Sequence, residues 1–152
     1  MFWKNQSQTT NKLQQHAVIV EQILAKLGVD LNRSRMAADS GYGWSFQRGS
    51  ALIEVYIAAQ KEREYLQVLS PLLHLPNGNL LPLYRRLLEL NLSMTNASLG
   101  VYLDVVYVFN ERPLDGLDSM EANFIITQIA RYADELDNQL LSEFGGRLYG
   151  QV

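Results

Sequence analysis

From about Thr10 the apolar positions Leu13, Ala17, Val20, Leu24 and Leu27 recur at alternating steps of four and three, with Ile19 and Ile23 broadening the stripe. That spacing lines one face of a helix, and Gly28, just past the last periodic residue, suits a left-handed C-terminal cap. Residues 1–9 are polar apart from Phe2 and Trp3 and are expected to form a flexible N-terminal arm. Val29 to Gly43 shows little periodicity and is expected to be a connection, with Gly41-Tyr42-Gly43 turning the chain into a strand. There the period changes to two. Trp44 and Phe46 alternate with Ser45 and Gln47, and Ile53, Val55, Ile57 and Ala59 alternate with Glu54, Tyr56, Ala58 and Gln60. A turn at residues 48–50 separates these two strands, and the polar link 61–64 leads to a third over Tyr65–Leu75, with Leu66 and Val68 in phase. Pro71 either breaks that ladder or puts the strand at an edge.

Asn77-Gly78 marks the next turn, and a second helix is expected from Leu80 to about Asn91, Pro82 being tolerable near its start. Leu99, Val101 and Leu103 then alternate with Ser98, Gly100 and Tyr102. A tight turn near Asp104 leads to a fifth strand from Val105 to Arg112, whose inward register the sequence leaves open. After Pro113 and the Asp115-Gly116 turn, Asp118 with Glu121 three residues on has the form of a capping box. A long helix follows through Phe124, Ile125, Ile129, Tyr132, Ala133, Leu136, Leu140 and Phe144, and Gly145-Gly146 stops it. The fold expected is α+β, an antiparallel five-stranded sheet with three helices in the order α-β-β-β-α-β-β-α. One domain covers residues 10–146, the last helix braces the sheet, and residues 147–152 form a C-terminal tail.

Composition narrows the function classes. At 152 residues with 47% hydrophobic and 19% charged positions, the chain suits one globular core. A net charge of -3 and a pI near 5.3 leave no basic footprint for nucleic acid. There is no cysteine, which removes disulfides, thiolate nucleophiles and cysteine-held metals and fits a cytoplasmic location. The N-terminus lacks the apolar run of a signal peptide, and no window approaches the roughly 20 apolar residues of a membrane span.

Catalytic chemistry finds little support. The histidines His16 and His74 have no carboxylate or serine at a spacing that would orient them, so no catalytic residue is assigned. Asp104, Glu111, Asp115 and Asp118 lie close in sequence but do not follow the EF-hand spacing. Turn formation by Asp104 and Asp115 and capping by Asp118 account for three of the four, so no metal is expected. No cofactor is expected, because the glycines at 41 and 43 precede a strand rather than the helix of a phosphate loop.

Element order over roughly Leu13 to Phe144, and the run from Val105 to Leu136 with its strand, Pro-Leu-Asp-Gly-Leu corner and helix, resemble the YbjN-like domains, grouped by fold with the CesT (Tir chaperone) type III secretion chaperones. The resemblance implies a sheet backed by helices, usually as a homodimer, and, for the secretion chaperones, binding of an extended client segment. The residues add two candidate surfaces. Tyr56 and Tyr102, joined by Tyr107 and Phe109, would give one sheet face aromatic side chains suited to a protein or peptide partner, although half-exposed strands favour aromatics anyway. Leu81, Leu88 and Leu92 exceed what a one-sided helix needs and suit a homodimer contact, the alternative being a helix buried on both sides within one monomer. The expected function is thus a non-enzymatic chaperone-like or adaptor domain. The alternative is a regulatory domain holding a small ligand between sheet and helices.

Overall fold

The computed structural model describes residues 2–38 and 40–150, with side chains from Asn11 onward. In chain order it contains α1 (Phe2–Lys26), α2 (Leu31–Ser34), β1 (Arg35–Met36), β2 (Gly41–Arg48), β3 (Ala51–Gln60), β4 (Arg63–His74), α3 (Leu81–Asn91), β5 (Ser98–Tyr102), β6 (Val105–Pro113), α4 (Ser119–Phe144) and β7 (Arg147–Leu148). The strands form one sheet in the order β1-β2-β3-β4-β6-β5, with β7 pairing β4. The α+β class and element order follow the sequence expectation, and the surplus elements are short. α2 spans 4 residues, and β1 and β7 span 2 each, too few to show a period. α1 begins at Phe2 rather than near Thr10, so helix occupies the segment expected as an arm. The tail's first residues are strand. Met1, Asp39, Gln151 and Val152 lie outside the described residues.

Two compact units divide the chain. The first comprises Met1–Phe46, Glu54–Gln67 and Glu111–Phe124. Its helix α1 buries Leu13, Ala17, Val20, Ile23 and Leu24, the face that the three-four spacing marks. Gly28, at φ +81°, closes the helix: its N–H reaches the Ala25 carbonyl at 3.0 Å, and that of Val29 reaches Leu24 at 3.0 Å. This is the paired C-terminal cap that glycine permits. Asp30 then accepts the amides of Asn32 and Arg33 and starts α2, so the expected connection holds a helical turn and the strand β1.

Gly41 and Gly43 belong to strand β2 rather than to a turn. A Cβ at Gly41 would sit 2.0 Å from the Ile57 carbonyl oxygen, and one at Gly43 would meet the Tyr56 ring at 3.2 Å. The glycines therefore admit neighbouring β3 at close range. Trp44 is 1% exposed, and its indole N–H donates to Glu21 Oε1 at 3.2 Å. Glu21 also receives Arg35 through Nε at 2.6 Å and Nη2 at 2.9 Å, which holds its carboxyl below the ordinary glutamate value.

At the corner before α4, Asp118 caps as its spacing implies, its Oδ1 accepting the Glu121 amide at 2.8 Å. Glu121 does something the capping-box reading does not anticipate. Its carboxylate is gripped by Arg112 at 2.9 and 3.1 Å, while Arg112 also donates to the carbonyls of Pro113 and Asp115. Lys12 meets Glu64 at 3.2 Å and Asp115.

The second unit comprises Gln47–Ile53, Val68–Asn110 and Ile125–Val152. Here Ile125, Ile126, Ile129, Ala133, Leu136 and Leu140 of α4 are buried. Phe124, the first apolar residue named along this helix, lies in the first unit and is 42% exposed. The β2–β3 turn is fastened by side chains of α4: Ser50 donates its amide to Asp134 at 3.0 Å and its hydroxyl to Asp137 at 2.6 Å. Gly49 is required there, since a Cβ would lie 1.9 Å from an Asp134 oxygen and φ is +58°. Asp137 is 2% exposed, and burial pushes its carboxyl above the ordinary aspartate value, with the Ser50 hydroxyl opposing that rise. β4 is an internal strand despite Pro71, which is itself buried.

Candidate functional site

Helix α3 has two unlike sides. Asn79 Oδ1 accepts the Leu81 amide at 3.1 Å, and Pro82 in the first turn gives up an amide that would have had no helical partner. Leu83 and Leu87 are buried, whereas Leu81 is 70% exposed, Leu88 68% and Leu92 91%. Tyr84, not among the residues expected at this surface, is also exposed and completes a stripe at steps of three, four and four. Arg85 and Glu89 pair at 2.9 Å alongside it. Three leucines and a tyrosine thus present an apolar row on a short amphipathic helix.

At its C-terminal end this helix is tied to the sheet edge. Asn91 Oδ1 accepts the Leu99 amide at 2.7 Å and Nδ2 donates to the Leu99 carbonyl at 3.4 Å, so one side-chain amide serves both backbone groups of an edge residue. Both Leu99 groups would otherwise face outward from the edge strand β5.

β5 and β6 pair antiparallel with Ser98↔Phe109, Gly100↔Tyr107 and Tyr102↔Val105 as Cα partners. Paired residues point to the same side, so Tyr102, Tyr107 and Phe109 share one face, and Leu99, Val106 and Val108 share the other, buried one. This settles the register of the fifth strand. Tyr102 is 67% exposed and Phe109 38%, while Tyr107 is half-buried. The Phe109 ring lies over Gly100, at ordinary contact distance (3.5 Å) from where a Cβ would stand. The connecting turn places Leu103 at φ 45° and Asp104 at φ 61°, a turn that bends with the strands' own twist. A leucine at positive φ is unusual, and this one is 77% exposed.

The remaining aromatic candidate, Tyr56, belongs to the first unit. Its hydroxyl donates to Glu54 Oε2 at 2.9 Å, and burial, reinforced by that carboxylate, pushes its pKa up to about 12. Of the four aromatic residues, then, the hairpin groups three, and Tyr56 has its own local partners. Sequence reasoning missed Tyr84, Leu103 and Asn91. Tyr84 follows the same helical spacing as its neighbours and was readable; a side chain that clamps an edge strand leaves no local pattern.

The other candidate groups are occupied structurally. His16 Nδ1 lies 2.9 Å from the Lys12 carbonyl within α1, and His74 stacks on Tyr149 at 5.5 Å. Asp115 is engaged by Lys12, which draws its carboxyl below the ordinary value, and Asp118 caps α4. Among the described residues no group of three or more acidic or histidine side chains is placed to hold a metal ion, and no helix is long and apolar enough to cross a membrane.

Residues 14–151 match the TY-Chap1 family, described as "T3SS (YopN, CesT) and YbjN peptide-binding chaperone 1". Two solved structures are similar in fold. A chain of the "Crystal Structure of the ExsC-ExsE Complex" superposes with a TM-score of 0.62 at 14% identity, covering 84% of this chain and 94% of that one. A chain of the "Structure of the HopA1-SchA Chaperone-Effector Complex" gives 0.51 at 13% identity, covering 79% and 93%. No curated protein matches in sequence.

Proposed function

The chain belongs to the TY-Chap1 family of peptide-binding chaperones, and from that premise we propose that it is a cytoplasmic, non-enzymatic homodimeric chaperone that holds an extended segment of another protein. The observation that carries this reading is the exposed apolar material of the second unit, on α3 and on the β5–β6 hairpin. Exposed apolar patches on a folded chain mark contact surfaces.

The two patches suit different tasks. The α3 row is self-complementary about its middle: in an antiparallel pairing with a second copy, Leu81 meets Leu92, and Leu88 lies near the axis. A two-fold interface needs one patch that matches itself, and fully burying each leucine is worth about 1.5–3 kcal/mol. The hairpin face, with Tyr102, Tyr107 and Phe109 beside Gly100 and Ser98, gives large aromatic contacts among small residues and suits a client segment. The HopA1–SchA structure is that of a chaperone–effector complex; for this chain the client is defined only as a protein segment.

Affinity purification of the full chain from its native host, followed by mass spectrometry, tests the reading. A recurrent protein partner lost on Tyr102→Ser/Phe109→Ser, with thermal stability kept, is the expected result. A co-purified small molecule as the sole retained species would overturn it.

A further inference from the structure

β4 has 12 residues and its hairpin partner β3 has 10, so the last two residues of β4 extend beyond that partner. Unpaired strand groups at such an overhang invite another strand. The protein fills the place with its own chain. β7, which is 2 residues long, pairs with Leu73 and His74 through Leu73↔Leu148 and His74↔Arg147. The Tyr149 amide then donates to the Leu72 carbonyl at 3.0 Å. Leu148 is buried at 7%, and Tyr149 stacks its ring on His74 at 5.5 Å with 20° between planes. The chain reaches this position through Gly145 and Gly146, at φ 77° and 97°. A Cβ on Gly146 would lie 2.5 Å from the His74 carbonyl oxygen, so the reversal requires glycine.

We infer that the Leu72–His74 edge of β4 is a strand-addition site for an extended peptide with an aliphatic residue followed by an aromatic one, and that β7 occupies it in cis as a displaceable stand-in. This deepens the peptide-binding reading and rests on it. Backbone pairing supplies affinity in such a mode, and alternate side chains supply selectivity. The pocket that takes Leu148 selects the aliphatic residue, and the exposed side of His74 selects the aromatic one. Two paired residues and one buried leucine make a marginal strand, of the sort that opens locally without global unfolding. Tethering nevertheless gives β7 an effective concentration on the order of millimolar, so a free peptide competes only when it is abundant or binds better.

The chain has no cysteine, so a single engineered disulfide can lock the segment. The probe is a fluorescein-labelled peptide of residues 144–150, Phe-Gly-Gly-Arg-Leu-Tyr-Gly, read by anisotropy against full-length proteins. The Leu148→Asp chain should bind it at least tenfold more tightly than the parent. Oxidised His74→Cys/Arg147→Cys should not bind it, and reduction should restore measurable binding, weaker than that of an open chain that keeps the His74 ring. Equal binding by parent and a folded Leu148→Asp chain overturns the inference. So does equal binding by the oxidised and reduced double variant, which carries the test should Leu148→Asp fail to fold. Native client still captured by the oxidised variant would overturn this site and leave the chaperone reading standing. Absence of any client with the parent, by contrast, would remove that reading and leave the peptide result intact.

Discussion

The corner around Arg112 and the apolar row of α3 are both surface features, yet they use their side chains in opposite ways. Around Arg112, charged groups close on one another: the guanidinium serves Glu121 and two backbone carbonyls, Lys12 serves Glu64 and Asp115, and Asp118 caps a helix. On α3, Leu81, Leu88 and Leu92 face solvent. Asp115 and Asp118 of the acidic run are therefore architecture, and the spare leucines of α3 are exposed. Polar groups satisfied by their own chain have little left to offer a partner, whereas exposed leucines gain from meeting one.

Variants can break or sharpen that contrast. Trp44→Ala removes a buried indole and leaves Glu21 with one donor fewer, and should cost about 3–5 kcal/mol in chemical denaturation. Arg112→Ala should cost about 1–2 kcal/mol, since it strips a half-exposed but multiply bonded guanidinium from the α4 start. A loss within about 0.5 kcal/mol for Arg112→Ala would mean that the corner is ornamental and the contrast false.

A smaller effect separates two carboxylates by pH. Burial holds Asp137 above its ordinary value, so in the window between the ordinary and the raised value the folded chain binds more protons than the unfolded one. Stability contributed by this group falls as pH rises through that window. Glu21 is held low by Arg35 and runs the other way: its contribution is present above the ordinary glutamate value and is lost as pH falls through the lowered one. Asp137→Asn should therefore gain on the parent as pH rises above the ordinary aspartate value, whereas Glu21→Gln should lose on it as pH rises through the window below the ordinary glutamate value and keep a constant deficit above it. Denaturation midpoints at several pH values read both slopes; parallel curves for Asp137→Asn and parent would show that its burial carries no charge penalty.

Much of this architecture was legible because it depends on local pattern. The four-three spacing of α1, the alternation in β3 whose bounds Ala51–Gln60 coincide with the expected ones, the Gly28 cap and the Asp118 cap all follow from neighbours in sequence. What escaped depends on distance. Arg112 meeting Glu121 in place of a reciprocal cap, Asn91 holding Leu99, and β7 joining β4 are pairings between separate segments. Gly41 and Gly43 read locally as a turn, yet they are strand residues because β3 approaches them closely. The candidate surfaces fall between these cases. The spare leucines of α3 could be picked out by spacing, and the grouping of Tyr102 with Tyr107 and Phe109 needed the hairpin register.

The most direct test of the contact role of α3 is the solution mass of the full chain by light scattering. The parent should measure about twice its 17.3 kDa chain mass, and Leu88→Glu should fall to 17.3 kDa with its denaturation midpoint nearly unchanged. A parent that already measures 17.3 kDa at working concentration would contradict the account, because the exposed leucines would then have no second copy to meet.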